Sequence, residues 1–192
     1  MSPLPSEERR ALLDLARRAI VLAVEQGRPM EIALHMGSLG QPAGAFVTLR
    51  ERGRLRGCIG QVEAVDPLAR VVARCATSAA LEDPRFEPLG AHELEHLEIE
   101  ISVLSALARI TPGEIEIGRH GLVVTRGRYR GVLLPQVPVH YRWAAERFLQ
   151  ETCLKGALER DAWRDPMTRI EAFTAEVFSE AEFEVERRTP AR

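Results

Sequence analysis

At 192 residues, with 45% hydrophobic and 28% charged side chains, the chain is long enough for one domain with a real core. Its composition is too ordinary for a disordered or fibrous protein. No apolar run approaches the roughly 20 residues that span a bilayer, and a formal net charge of -2 lacks the basic footprint of a nucleic-acid binder. The start, Met1-Ser2-Pro3-Leu4-Pro5-Ser6, has no basic region followed by an apolar stretch, so no secretory signal is read and the expected compartment is the cytoplasm. Cys58, Cys75 and Cys153 are odd in number and far apart, which fits reduced thiols better than a disulfide framework. Lys155 is the only lysine, so 25 of the basic residues are arginine; base composition or a hot habitat accounts for that bias as well as anion recognition does.

Pro5-Ser6 opens a predicted first helix, with Leu12, Ala16, Ala19, Ile20 and Ala23 on one face and Gly27 as its stop. Gly37, Gly40, Pro42 and Gly44 mark residues 35 to 44 as a loop. Strands over 45 to 51 and 54 to 62 form a hairpin about Arg52-Gly53. Asp66 is read as the N-cap of a second helix, with Pro67 at the first helical position. Its stripe runs through Leu68, Val71, Val72, Cys75, Ala76 and Ala79, and it ends at Asp83-Pro84. Alternation of Leu97, Ile99, Ile101 and Val103 with Glu98, Glu100 and Ser102 predicts a half-buried strand with one acidic face.

A second hairpin, 121 to 125 with 128 to 134, turns about Arg126-Gly127 and closes at Pro135. A helix over 143 to 155 ends at Gly156, and a last strand spans 170 to 178. Hairpins and helices without regular βαβ alternation predict an α+β fold, an antiparallel β-sheet flanked by helices. That sheet is expected to hold both hairpins and the last strand, with the first helix packed on it.

Leu55-Arg56-Gly57-Cys58-Ile59-Gly60 places two glycines inside a strand. Glycine there permits a bulge or the close approach of a backbone or ligand. Alternation puts Arg56 and Cys58 on one face. A guanidinium beside a thiol favours the thiolate, so the pair reads as nucleophile and electrostatic partner; the other reading is a small buried hydrophobe beside a surface charge.

This hexapeptide, with Phe46-Val47-Thr48-Leu49, Asp83-Pro84-Arg85-Phe86, Leu133-Leu134-Pro135-Gln136-Val137, Asp161-Ala162-Trp163 and Ala175-Glu176-Val177-Phe178, resembles the AMMECR domain family. The bacterial and archaeal members of that family are called AmmeMemoRadiSam system protein A. The likeness runs in order along nearly the whole chain and departs at Gly156-Ala157-Leu158-Glu159-Arg160, where an Ala-Gly-Leu-Pro turn would be expected. It implies a single AMMECR-type domain over 1–192, with a larger lobe from both chain ends and a smaller lobe from the middle. It marks the hexapeptide as the functional centre. Carried over residue by residue, Arg56 and Cys58 are candidate catalytic residues and Gly57, Gly60, Arg85 and Gln136 candidate binding residues; Asp83 is read first as the anchor of its turn. The family's name implies a pathway shared with a Memo-like protein and a radical-SAM protein. It supplies no reaction.

His92-Glu93-Leu94-Glu95-His96 matches H-E-x-x-H, which needs a helix to hold zinc. Pro88, Gly90 and the strand that follows leave room for a loop or a single turn, so no metal and no cofactor is expected. Arg50, Arg52, Arg54 and Arg56 with Arg126, Arg128 and Arg130 would make an anion surface if the hairpins adjoined; a solvated face with cross-strand pairs to Glu51 or Glu100 is the competing reading. Three functions follow: an enzyme acting on a small molecule or modified group at a cleft around Cys58; a non-catalytic protein-binding module; local nucleic-acid or anion binding through the Arg hairpins. The scarcity of aromatic residues, 5% of the chain, counts against the third.

Overall fold

A computed structural model describes residues 3–30 and 37–183. The chain divides into two compact units, one of Met1–Leu104 with Glu176–Arg192 and one of Ser105–Ala175. The larger unit is therefore built from both chain ends and the smaller from the middle.

In the first unit α1 (Ser6–Gln26) begins after Pro5 without a side-chain cap and ends at Gly27, whose φ of 62° is the left-handed stop that glycine adopts freely. Strands β1 (Ala45–Glu51) and β2 (Arg54–Gln61) form the first hairpin. At its apex Arg52 and Gly53 both have positive φ, 50° and 78°, as a two-residue turn matched to strand twist requires. Helix α2 (Leu68–Leu81) follows, with Pro67 itself at the N-cap position; Asp66 pairs with Arg74 at 3.0 Å instead of capping. With β3 (Leu97–Leu104) and β8 (Ala175–Ser179) the sheet order is β2-β1-β3-β8. Val47, Leu49, Ile99 and Ile101 leave one face fully buried with α1 and α2. The opposite face carries Thr48 beside Cys58 on one side and Glu100 on the other.

The second unit has strands β4 (Ala108–Arg109), β5 (Gly121–Arg126), β6 (Tyr129–Leu133) and β7 (Arg169–Phe173) in the order β4-β7-β5-β6. Arg126 pairs with Tyr129, so Gly127-Arg128 is the two-residue loop of that hairpin. A short helix α3 (Gln136–His140) precedes α4 (Ala145–Lys155), whose Phe148, Leu149 and Cys153 pack against Leu122 and Val124.

The single sheet expected from the sequence is thus two sheets, with one hairpin in each. The stretch 170 to 178 is broken at Thr174. Its backbone exchanges hydrogen bonds with Ser105: the Ser105 N–H donates to the Thr174 carbonyl, and the Thr174 N–H to Ser105 Oγ, both at 2.9 Å. The strand before this crossing joins the second sheet and the strand after it the first. Helix α1 packs on α2 and β3 of the first unit.

Candidate functional site

Cys58 sits on β2, an edge strand, and the outer edge of that strand is closed by the turn after α2. The Cys58 N–H donates to Asp83 Oδ2 at 2.8 Å, and its carbonyl accepts from Arg85 Nη2 at 3.3 Å. With both backbone groups turned outward, Cys58 faces Thr48 of β1 as a non-hydrogen-bonded pair, the closer kind, in which side chains meet. Thr48 Oγ1 donates to the sulfur at 3.4 Å. Thr48 is 7% exposed, and Cys58 is half-buried.

Asp83 holds this edge. Only 4% exposed, it also accepts from the Arg85 N–H at 3.1 Å, Nε at 2.9 Å and Nη2 at 2.6 Å. Arg85 first, then the Cys58 and Arg85 N–H groups, keep its carboxyl far below the usual carboxylate range against the cost of burial. The turn-anchoring role expected for Asp83 is present, and the same carboxylate reaches the Cys58 backbone. The Arg85 guanidinium is half exposed and raised in pKa, chiefly by Asp83 and further by the Cys58 sulfur.

Arg56 goes elsewhere. Leu49 pairs with Gly57 and Arg50 with Leu55, leaving Arg56 as the extra residue of a β-bulge, a device that re-aims a side chain and interrupts strict alternation. Its Nε and Nη2 donate to the two Glu93 oxygens at 2.6 and 3.0 Å, and Nη1 to the Glu87 carbonyl at 2.9 Å. The guanidinium expected beside Cys58 is therefore that of Arg85. Gly57 and Gly60 are packing positions: a Cβ on Gly57 would fall on the Ala79 carbonyl of α2, and one on Gly60 on the Phe46 ring. Gln136 is exposed at the start of α3 in the second unit. His120 and His140 also belong to the second unit; His120 Nδ1 accepts the Glu116 N–H at 3.1 Å.

The other thiols are sealed. Cys75 is 3% and Cys153 0% exposed. Burial pushes Cys75 up to about 11 and Cys153 upward as well. His92 to His96 lie in a single 3-10 turn, Ala91–His96, with Glu93 bound to Arg56 and to the Gly90 N–H. Among the described residues no group of three or more His, Cys, Asp or Glu is placed to hold a metal. The Arg hairpins fall in different units; Arg50 lies in register with Glu98 and Arg54 with Glu51, while Arg126 pairs with Asp165 at 2.6 Å. Five clefts of about 440 to 740 Å³ among the described residues are lined by residues other than Cys58.

Sequence reasoning missed Thr48 and Glu93. An unbulged hairpin about Arg52-Gly53 would set Val47 opposite Cys58, so only the bulge brings the hydroxyl to the sulfur. The signal for Glu93 is its three-residue spacing from Gly90, whose N–H donates to its carboxylate as in the glutamate half of a capping box.

A model of the AMMECR1 family matches residues 13–178. Protein MK0488 of Methanopyrus kandleri is 43% identical over 186 residues, 92% of this chain and 90% of that protein. A protein of Thermococcus gammatolerans is 42% identical over 181 residues, 88% of each. The crystal structure of the uncharacterized protein PH0010 from Pyrococcus horikoshii superposes with a TM-score of 0.87 at 39% identity, covering 92% of this chain and 93% of that one. No helix among the described residues is long and apolar enough to cross a membrane.

Proposed function

The chain belongs to the AMMECR1 family, and on that premise we propose that it is an enzyme acting on a small molecule, with Cys58 as its nucleophile. The observation that carries this reading is the contrast among its three thiols. Two are buried and held protonated, whereas Cys58 is half-buried, accepts the Thr48 hydroxyl at sulfur and has its backbone clamped by Asp83 and Arg85. The Thr48 hydroxyl gives the sulfur a fixed partner, and a clamped strand fixes where it points. Sulfur bonds to an electrophilic carbon as the bond from that carbon to its leaving group breaks. The electron pair departs with the leaving group and the thiol proton passes to solvent; attack by water at the same carbon then frees the product and restores the thiol.

The shared pathway with Memo-like and radical-SAM proteins belongs to the same proposal, supported by the family resemblance. So does a cytoplasmic location, supported by three unpaired cysteines. The test is alkylation of the full chain by iodoacetamide at neutral pH, mapped by mass spectrometry. Cys58 is expected to label at least ten times faster than Cys75 or Cys153. Equal rates would remove the nucleophile and leave the protein-binding module as the better reading.

A further inference from the structure

Arg85 is more than a clamp. Its Nε and Nη2 are occupied by Asp83 and by the Cys58 carbonyl, and the guanidinium lies 5.4 Å from the Phe86 ring centroid. Two anchors on one edge of a planar fork fix the whole group. The remaining nitrogen, Nη1, makes no hydrogen bond among the described residues, and the side chain is 53% exposed. An arginine recruited only to neutralise Asp83 needs no such exposure, because its partner is 2% exposed and already receives three of its N–H bonds. What remains is a pre-oriented pair of N–H donors on the residue that also grips the Cys58 backbone. Arginine N–H groups of that kind select oxyanions by geometry, and do so even where a carboxylate compensates the formal charge.

We propose that Arg85 Nη1 is the anion-docking group of the Cys58 site, so that the substrate is a small molecule carrying a carboxylate or phosphate beside its electrophilic carbon. This rests on the reading of Cys58 as the reactive thiol and adds to it a substrate class and a specificity residue. Arg85 touches the substrate's anionic group and not the reacting atoms.

Two alkylating probes that differ in charge separate the two ideas. Iodoacetate and iodoacetamide both transfer a two-carbon unit to sulfur with loss of iodide, and only the first carries a carboxylate. On the full chain, the iodoacetate-to-iodoacetamide rate ratio at Cys58, divided by the same ratio for free cysteine, is expected to exceed unity several-fold. It should fall to about one in Arg85→Gln and lie between in Arg85→Lys, which keeps the charge and loses the fork. Disturbance of the fold moves both reagents together and leaves the ratio alone. Should Arg85→Gln not fold, wild type still decides: inorganic phosphate should slow iodoacetate at Cys58 more than sodium chloride of equal ionic strength does. A wild-type ratio equal to that of free cysteine, a ratio unchanged in Arg85→Gln, or phosphate no better than chloride overturns the anion site. Failure of the underlying thiol reading has a different signature, namely slow labelling of Cys58 by neutral iodoacetamide.

Discussion

Two arginines of one short region divide the work near Cys58, and they do so in a way that strand alternation cannot reveal. Counting residues along a regular strand sets Arg56 on the Cys58 face. The bulge at Arg56 instead turns its guanidinium to Glu93 and the Glu87 carbonyl, where it is 14% exposed and Glu93 13%. Arg56 is thus a tether between the edge strand and the turn that follows α2. Arg56→Leu removes the paired bonds to Glu93 and those to the Glu87 and Pro88 carbonyls and leaves Glu93 half-desolvated, which should cost about 2 to 3 kcal/mol of stability. Urea unfolding measures that loss. In the folded protein the same variant should leave the iodoacetamide rate at Cys58 within about twofold of wild type, since the donor on the sulfur is Thr48 and the neighbouring cation is Arg85. A stability change below about 0.5 kcal/mol, or a large fall in rate, would return Arg56 to the reactive site. Cys58 itself was legible because a cysteine between two strand glycines needs a reason. Its hydroxyl partner was not, because one extra residue in β2 shifts the cross-strand register by one and exchanges Val47 for Thr48.

At the scale of elements, the helices and hairpins follow from periodicity, and the glycines fix how closely they pack. Gly57 lets the Ala79 carbonyl of α2 reach β2, and Gly131 does the same for the Thr152 carbonyl of α4 on β6. In each unit the second strand of a hairpin meets a helix backbone where no side chain intervenes. Of the close approaches a strand glycine permits, that of a backbone is the one seen at Gly57. Gly57→Ala places a methyl on backbone that cannot rotate away, so α2 must lift from the strand. Overpacking of this kind costs about 1 to 3 kcal/mol. Because α2 leads directly into Asp83, the lift should also loosen the Asp83 and Arg85 bonds to Cys58. Hydrogen exchange at the Cys58 amide, bonded to Asp83 in wild type, is expected to quicken by more than the global loss of stability explains. Exchange that tracks global stability alone would show α2 and the clamp to be uncoupled. The stripe of α2, the alternation of β3 and the first hairpin turn were legible from residue types, whereas the second turn is Gly127-Arg128, one residue on from the Arg126-Gly127 expected. The break at Thr174 was not legible: the apolar residues Ile170, Ala172 and Phe173 run on into Ala175, Val177 and Phe178 without a glycine or proline, and what divides the stretch is its pairing to Ser105.

For the whole molecule, the sequence carries no composition shift at residues 104 and 175, so the residues themselves do not mark the division into two units. It has a consequence for the Cys58 edge. Cys58, Thr48, Asp83, Arg85, Arg56 and Glu93 all belong to the first unit. That unit has its own core of Leu12, Ile20, Val72, Ile99, Ile101 and Phe178, contributed by α1, α2, β3 and β8. The chain leaves it after Leu104 and returns at Glu176, and β3 and β8 are hydrogen-bonded neighbours in one sheet. A flexible connection of about six residues is within the usual length of links between adjacent strands, and shortening a loop changes its closure entropy only slowly. Replacing residues 105–175 with such a Gly/Ser linker should therefore leave a cooperatively folding protein, of lower stability than the full chain because a smaller core buries less surface. Calorimetry should find a single transition, and iodoacetamide should still label Cys58 well ahead of Cys75, which stays sealed on α2. A melt without cooperativity would mean that the first unit requires the second to fold. A cooperative melt with Cys58 no faster than Cys75 would show that the reactivity of the thiol depends on residues 105–175, to which the candidate binding residue Gln136 belongs.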